Sequence, residues 1–113
     1  MNSLDKFISE FNKFVGHVGK VMPPEGKGTY NKIYFGMSLM SKNGIHEFFI
    51  NTTEKYQDKI LLEDDSFIDH IKHDFEILKY YASMDPQSQK ACLAYMKILY
   101  LMAYKVREEL KSN

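Results

Sequence analysis

The sequence predicts an all-α fold: one domain built as a compact bundle of four to five helices, with a long central helix at its C-terminal end. Three observations predict it. Apolar residues recur at steps of three and four through the first 22 positions, which is the helical period. Asp85-Pro86 opens a second apolar segment with an N-cap residue followed by proline in the first turn. The one stretch that could be a strand, Ile45 to Asn51, has no evident partner to pair with. A chain of 113 residues, 44% hydrophobic and 27% charged, has the size and composition of a single folded domain, 1–113, with a modest core.

The first helix is expected from Ser3, as N-cap, to about Met22. Leu4, Phe7, Ile8, Phe11, Phe14, Val15, Val18 and Met22 form one stripe at about 100° per residue. Lys6, Glu10, Lys13 and Lys20 occupy the other face. Gly16 and Gly19 either weaken this helix or admit a close neighbour. Pro23-Pro24 stops it, and Gly26 and Gly28 loosen the joint that follows. The second helix is expected over Thr29 to Ser41, with Tyr30, Ile33, Tyr34, Met37 and Met40 on one side, ended by Asn43-Gly44. Ile45 to Asn51 is read as helical. Asp65 or Ser66 caps a fourth helix that buries Phe67, Ile68, Ile71, Phe75 and Leu78 and ends near Ser83-Met84. The last helix spans Pro86 to about Lys111. Its middle, ACLAYMKILYLMAYKV, is apolar around most of its circumference, so burial by several neighbours is expected, with Ile98 among the buried residues.

Charge and composition exclude several functions. Fifteen basic and fifteen acidic side chains cancel. Fourteen of the fifteen basic residues are lysine, and Arg107 is the one arginine. A chain without excess positive charge or guanidinium forks is poorly equipped to displace counterions or read guanine, so direct nucleic-acid binding is not expected. The single Cys92 excludes an intrachain disulfide and a cysteine zinc cage. No stretch of about 18 apolar residues suits a membrane span, and the amphipathic N-terminal segment does not resemble a signal peptide. Asn2, in place of glycine, removes the myristoylation pattern. A cytoplasmic or virion location without secretion is expected, and membrane binding is not.

Four motifs invite chemistry. Gly26-Lys27-Gly28-Thr29 resembles a phosphate loop, but Val21 stands where the first glycine belongs, Gly28 stands where Ser or Thr would bind magnesium, and a helix precedes it. It reads as an interhelical joint. Asp69, His70 and His73 sit at helical ligand spacing, yet Asp69 and His73 fall opposite Ile71 and Phe75, on a solvated face unsuited to a fixed metal cage. The neighbouring carboxylates lack the EF-hand pattern. Cys92 lies beside Leu93 and Tyr95 in the most apolar helix, where a thiol behaves as a small hydrophobe. Asn51-Thr52-Thr53 matches a glycosylation sequon, read as a chance match without a secretory signal.

The segments FFINTTEKYQDKILLEDDSF and LKYYASMDPQSQKACLAYMKILYLMAYKV, across residues 48 to 106, combine an aromatic stretch, an acidic Asp64-Asp65-Ser66-Phe67 helix start and a final helix opened by a polar turn. In that helix Tyr95, Leu99 and Met102-Ala103 recur at helical spacing. In this the chain resembles small helical proteins of large nucleocytoplasmic DNA viruses, and its richness in Lys, Ile, Asn and Tyr without Trp suits an AT-rich genome. The resemblance implies a virion or virus-factory component that acts by binding other proteins. It supplies no catalytic motif, and it leaves out the first helix and the PPEGKGTYNK joint.

No catalytic residue, cofactor, metal or small-molecule substrate is therefore expected. The expected function is a non-enzymatic interaction or structural role, as a small capsid-associated component; the alternative is a regulatory adaptor that binds a cellular partner through a groove between helices. A third reading is a small enzyme built on Asp69, His70 and His73. Two helices rich in large apolar residues exceed what a small domain easily hides, so a protein partner or self-association is expected. The partner-binding residues are expected on the first helix: Leu4, Phe7, Phe11 and Phe14.

Overall fold

Asn2 starts the first helix, one residue earlier than expected. In a computed structural model, which describes residues 2–112, the Asn2 backbone is extended and its side-chain oxygen accepts a hydrogen bond from the Asp5 amide at 2.8 Å. Ser3 is the first helical residue instead, and its hydroxyl donates to Glu109 at 2.8 Å. Helix α1 (Ser3–Val21) leads through a 3₁₀ turn (Pro24–Gly26) to α2 (Lys27–Ser38) and α3 (Lys42–Thr53). Short helices α4 (Gln57–Leu61) and α5 (Ile68–Ile71) follow, separated by further 3₁₀ turns, and α6 (Pro86–Lys111) closes the chain. No strand occurs among the described residues, and the all-α prediction holds, with six α-helices in place of four to five.

Helix α1 lies along α6 and runs antiparallel to it. Ser3 meets Glu109 at one end, and Phe14 and His17 meet the Tyr95 ring, at 5.6 and 5.5 Å between centroids, near the other. Helix α3 covers both. Phe49 packs on Phe7 and Phe11, and the His46 Nε2–H donates to the Ala103 carbonyl at 2.9 Å. Phe75 reaches this cluster from the segment after α5 and touches Phe11, Phe14, Phe48 and Phe49 at ring separations of 5.7 to 6.4 Å. Edge-on and tilted aromatic contacts of this kind add to the burial of apolar area.

That arrangement corrects the expectation that α1 offers its stripe to a partner. Phe7, Phe11 and Phe14 are 0%, 1% and 0% exposed, and Leu4 is half-buried against the same core. The physical reason is the ring supply from elsewhere. Phe49 and Phe75 lie far along the chain, and together with α6 they cover the three phenylalanines.

Three boundaries differ from the sequence reading. Asn43-Gly44 does not end α2; it lies in the first turn of α3, because Ser41 has extended backbone and its Oγ accepts the Gly44 amide at 3.0 Å. Ile45 to Asn51 is helical, as expected. The helix expected from Asp65 or Ser66 to Ser83 is instead broken. Asp64 is the cap, accepting the Ser66 amide at 3.0 Å, α5 ends at Ile71, and turns at Glu76–Leu78 and Tyr81–Ser83 follow. All five residues expected to be buried there are buried, and so are Ile77, Tyr81 and Met84. A continuous helix would send Phe75 and Ile77, two residues apart, to roughly opposite sides. Both reach the core only because the backbone leaves the helical path at Phe75.

Helix α6 starts as read. The Asp85 carboxylate accepts the Ser88 amide and hydroxyl, each at 2.9 Å, which holds its pKa below the ordinary carboxylate range, and Pro86 follows. Helices α1, α3 and α4 all pack against α6. Its burial, however, is one-sided. Cys92, Met96, Leu99, Tyr100, Ala103 and Val106 are buried, whereas Ile98 is 46% exposed and Leu101 51%. This corrects the placement of Ile98 in the core. The molecule is 23 Å across its thinnest direction, about two helix diameters. Two layers leave one side of α6 facing solvent.

Candidate functional site

The motifs singled out for chemistry are held in unreactive settings. Gly26 is buried, and a Cβ placed there would stand 2.5 Å from Met22 Sδ and 2.8 Å from the Tyr80 ring. Gly26 is thus packed over by side chains, while Lys27 and Gly28 are exposed in the first turn of α2. Asp69 pairs with Lys72 at 3.1 Å on an exposed site, His70 stacks on Tyr56 with centroids 5.6 Å apart, and α5 ends before His73. Among the described residues no group of three or more His, Cys, Asp or Glu is placed to hold a metal ion. Cys92 is fully buried, its Sγ 3.7 Å from Met84 Sδ, and burial pushes the thiol up to about 11. A neutral thiol in that setting is a poor nucleophile. Asn51 of the sequon is exposed on helix α3. No helix among the described residues is long and apolar enough to cross a membrane.

What remains unusual is α2. It is a 12-residue helix with no buried residue. Tyr30 anchors it: its hydroxyl donates to the Val15 carbonyl at 3.0 Å, and burial followed by the neighbouring Tyr34 raises its pKa. The ring fills a notch that Gly19 leaves in α1, where a Cβ would stand 2.5 Å from the Tyr30 Oη. Ile33 and Met37 lie half-buried beneath the helix. The outer surface is apolar. Tyr34 is 57% exposed, Phe35 67%, Leu39 73% and Met40 40%. Isolated exposed apolar residues are ordinary, but four within seven positions form a patch of the kind that marks binding surfaces.

A groove of about 440 Å³ lies between α1 and α2. Asn12, Val15 and Gly16 form one wall, Tyr34 and Met37 the other, and Ile45 contributes from α3. Gly16 opens it: a Cβ there would meet nothing within 4 Å. The two glycines of α1 therefore have opposite roles, one admitting Tyr30 and the other leaving space. Gly16→Ala is expected to raise stability by about 1 kcal/mol, the usual helix-interior preference for alanine. Gly19→Ala is expected to lower it, because Tyr30 must be displaced. Urea titrations of the two variants check this contrast; a Gly19→Ala protein as stable as wild type would disprove the notch.

The groove lies in a basic setting. Residues 26 to 46 contain Lys27, Lys32 and Lys42 and no acid. Lys42 pairs with Asp5 at 2.8 Å. Lys20, Lys27 and Lys32 are exposed and enter no ion pair among the described residues. Lys20 follows Gly16 by one helical turn and Lys27 precedes Tyr34 by two, so by helical phase they share the faces of α1 and α2 that line the groove. Sequence reading grouped Tyr34 and Met40 with Tyr30, Ile33 and Met37 on one side of α2 and assigned no role to Phe35 or Leu39. The spacing of Phe35 and Leu39, four apart and out of phase with Ile33 and Met37, was the available signal. Comparison with known protein families, curated proteins and solved structures gives no match to this chain.

Proposed function

We propose that the protein is a non-enzymatic interaction protein and that its binding surface is the α1–α2 groove with the outer face of α2. The observation that supports this is the end of α2 and the residues just after it: Tyr34, Phe35, Leu39 and Met40 are exposed, and no residue of the helix is buried in the fold. Covering such a face by a partner removes apolar area from water at about 25 cal/mol per Å². The resemblance of residues 48 to 106 to small proteins of large DNA viruses favours a capsid-associated or assembly role. The concave shape of the groove favours the second reading, an adaptor that captures an inserted side chain of a regulatory partner.

Affinity capture from the native extract with the whole chain as bait tests the surface. Phe35→Ser combined with Leu39→Ser is expected to lose at least about 90% of captured partner, as removal of two anchor side chains does, while keeping the wild-type melting curve. Many copies of a coat protein in the bound fraction support the assembly role, and one soluble protein in fixed ratio supports the adaptor. Capture unchanged in the double variant defeats the proposal.

A further inference from the structure

Charge is unevenly distributed along this neutral chain. Residues 13 to 46 hold five lysines and one acid, whereas residues 54 to 76 hold eight acids and three lysines. The second stretch contains a projecting corner with the opposite character to the groove. Leu62, at the end of α4, is 77% exposed, the most exposed large apolar side chain among the described residues. Asp58, Glu63, Asp64 and Asp65 surround it in sequence with Lys59, which pairs with Asp64 at 3.4 Å, so the corner keeps a net negative charge.

The corner is rigid. The Glu63 amide donates to the Ile60 carbonyl at 3.1 Å, and the Asp64 amide donates to the Lys59 carbonyl at 2.9 Å. This is the paired closure in which the residue after the C-cap takes the left-handed conformation, a position that favours glycine. Here that residue is Glu63, with φ of 54°, and no other described non-glycine residue has positive φ. An acidic side chain thus stands where glycine would be less strained. Lys97 lies 4.0 Å from Glu63 and holds the turn beside α6. One turn further on the same face of α6, Leu101 is exposed and extends the apolar surface.

We infer that the α1–α2 groove receives the Leu62 corner of a second copy of this chain. The inference rests on the groove being an interaction surface, and it names the occupant. Leu62 enters between Val15, Gly16, Tyr34 and Met37, and Asp58, Glu63 and Asp64 face Lys20 and Lys27. Groove and corner are different parts of the molecule, so the contact is head to tail. A bound pair still presents one free groove and one free corner, and such a contact continues into a ring or a filament. Because the matching charges are exposed, association weakens as salt screens them.

Sedimentation equilibrium over a wide concentration range tests this with three proteins. Gly16→Leu places its Cβ in open space and its side chain in the groove, and Leu62→Ser removes the corner's anchor from an exposed site. Wild type is expected to gain mass with concentration and lose it with added salt. Either variant alone is expected to associate at least about tenfold more weakly, as loss of an anchor side chain produces. An equimolar mixture of the two variants is expected to form a dimer and nothing larger, because one supplies an intact corner and the other an intact groove. Wild type that stays monomeric throughout, association that survives Leu62→Ser, or a mixture that stays monomeric overturns the inference. Wild type that is monomeric yet captures another protein through Phe35 and Leu39 overturns it too, while leaving the interaction function standing. Vesicles of anionic lipid, bound by wild type and by Leu62→Ser alike but not by Gly16→Leu, would give the groove to a membrane instead and have the same effect.

Discussion

Leu99→Asp is expected to unfold the protein at room temperature, while Ile98→Asp, one position away, is expected to melt within about 4 °C of wild type, the shift produced by roughly 0.5 kcal/mol. Leu99 is 0% exposed and faces the core shared with α1 and α3, whereas Ile98 is 46% exposed. A carboxylate at position 99 has no cation or donor to pair with and costs several kcal/mol whether it stays charged or takes up a proton. Small domains have about 5–15 kcal/mol in total to lose. Thermal denaturation followed by circular dichroism separates the two. Equal melting temperatures would mean that α6 is rotated from the position described.

Phe7→Ser combined with Phe11→Ser is expected to abolish folding rather than weaken association. Each large-to-small change at a fully buried phenylalanine costs about 3–5 kcal/mol from lost burial and an unfilled cavity. The rings touch each other, with centroids 5.8 Å apart, so the two costs do not simply add. Even one and a half such losses approach the whole stability of a domain of this size. Phe35→Ser with Leu39→Ser removes comparable side chains from the surface of α2 and is expected to fold normally. Urea denaturation followed by tyrosine fluorescence, in a chain without tryptophan, compares the pairs. A folded Phe7/Phe11 variant that no longer binds a partner would return the interface to α1.

The contrast between these two pairs shows what could be read from the residues. The helices with strong local instructions were legible: α1 from its three-and-four spacing, and α6 from Asp85-Pro86 and its apolar length. So were five of the buried residues from Phe67 to Leu78, though not Ile77. The candidate surface was not. Phe35 and Leu39 are as apolar as Phe11 and Phe14, and sequence alone offers no measure of which face finds cover. Ile98 and Leu99 are likewise indistinguishable by type.

What the sequence by itself determined is therefore local. Helix period, caps and proline stops act through hydrogen bonds and side chains a few residues apart, and Asn2, Ser41, Asp64 and Asp85 each close such a contact within three positions. The tertiary structure decided which apolar faces are core. Phe75 leaves the helical path to join Phe11 and Phe49, which covers the phenylalanine stripe of α1 and removes that stripe as an interface. Tyr30 fastens α2 at the Gly19 notch, so the rest of that helix stays outside and the groove beside Gly16 stays open. Burial depends on how many neighbours reach a face, and in a two-layer molecule 23 Å thick those neighbours run out before every apolar side chain is covered.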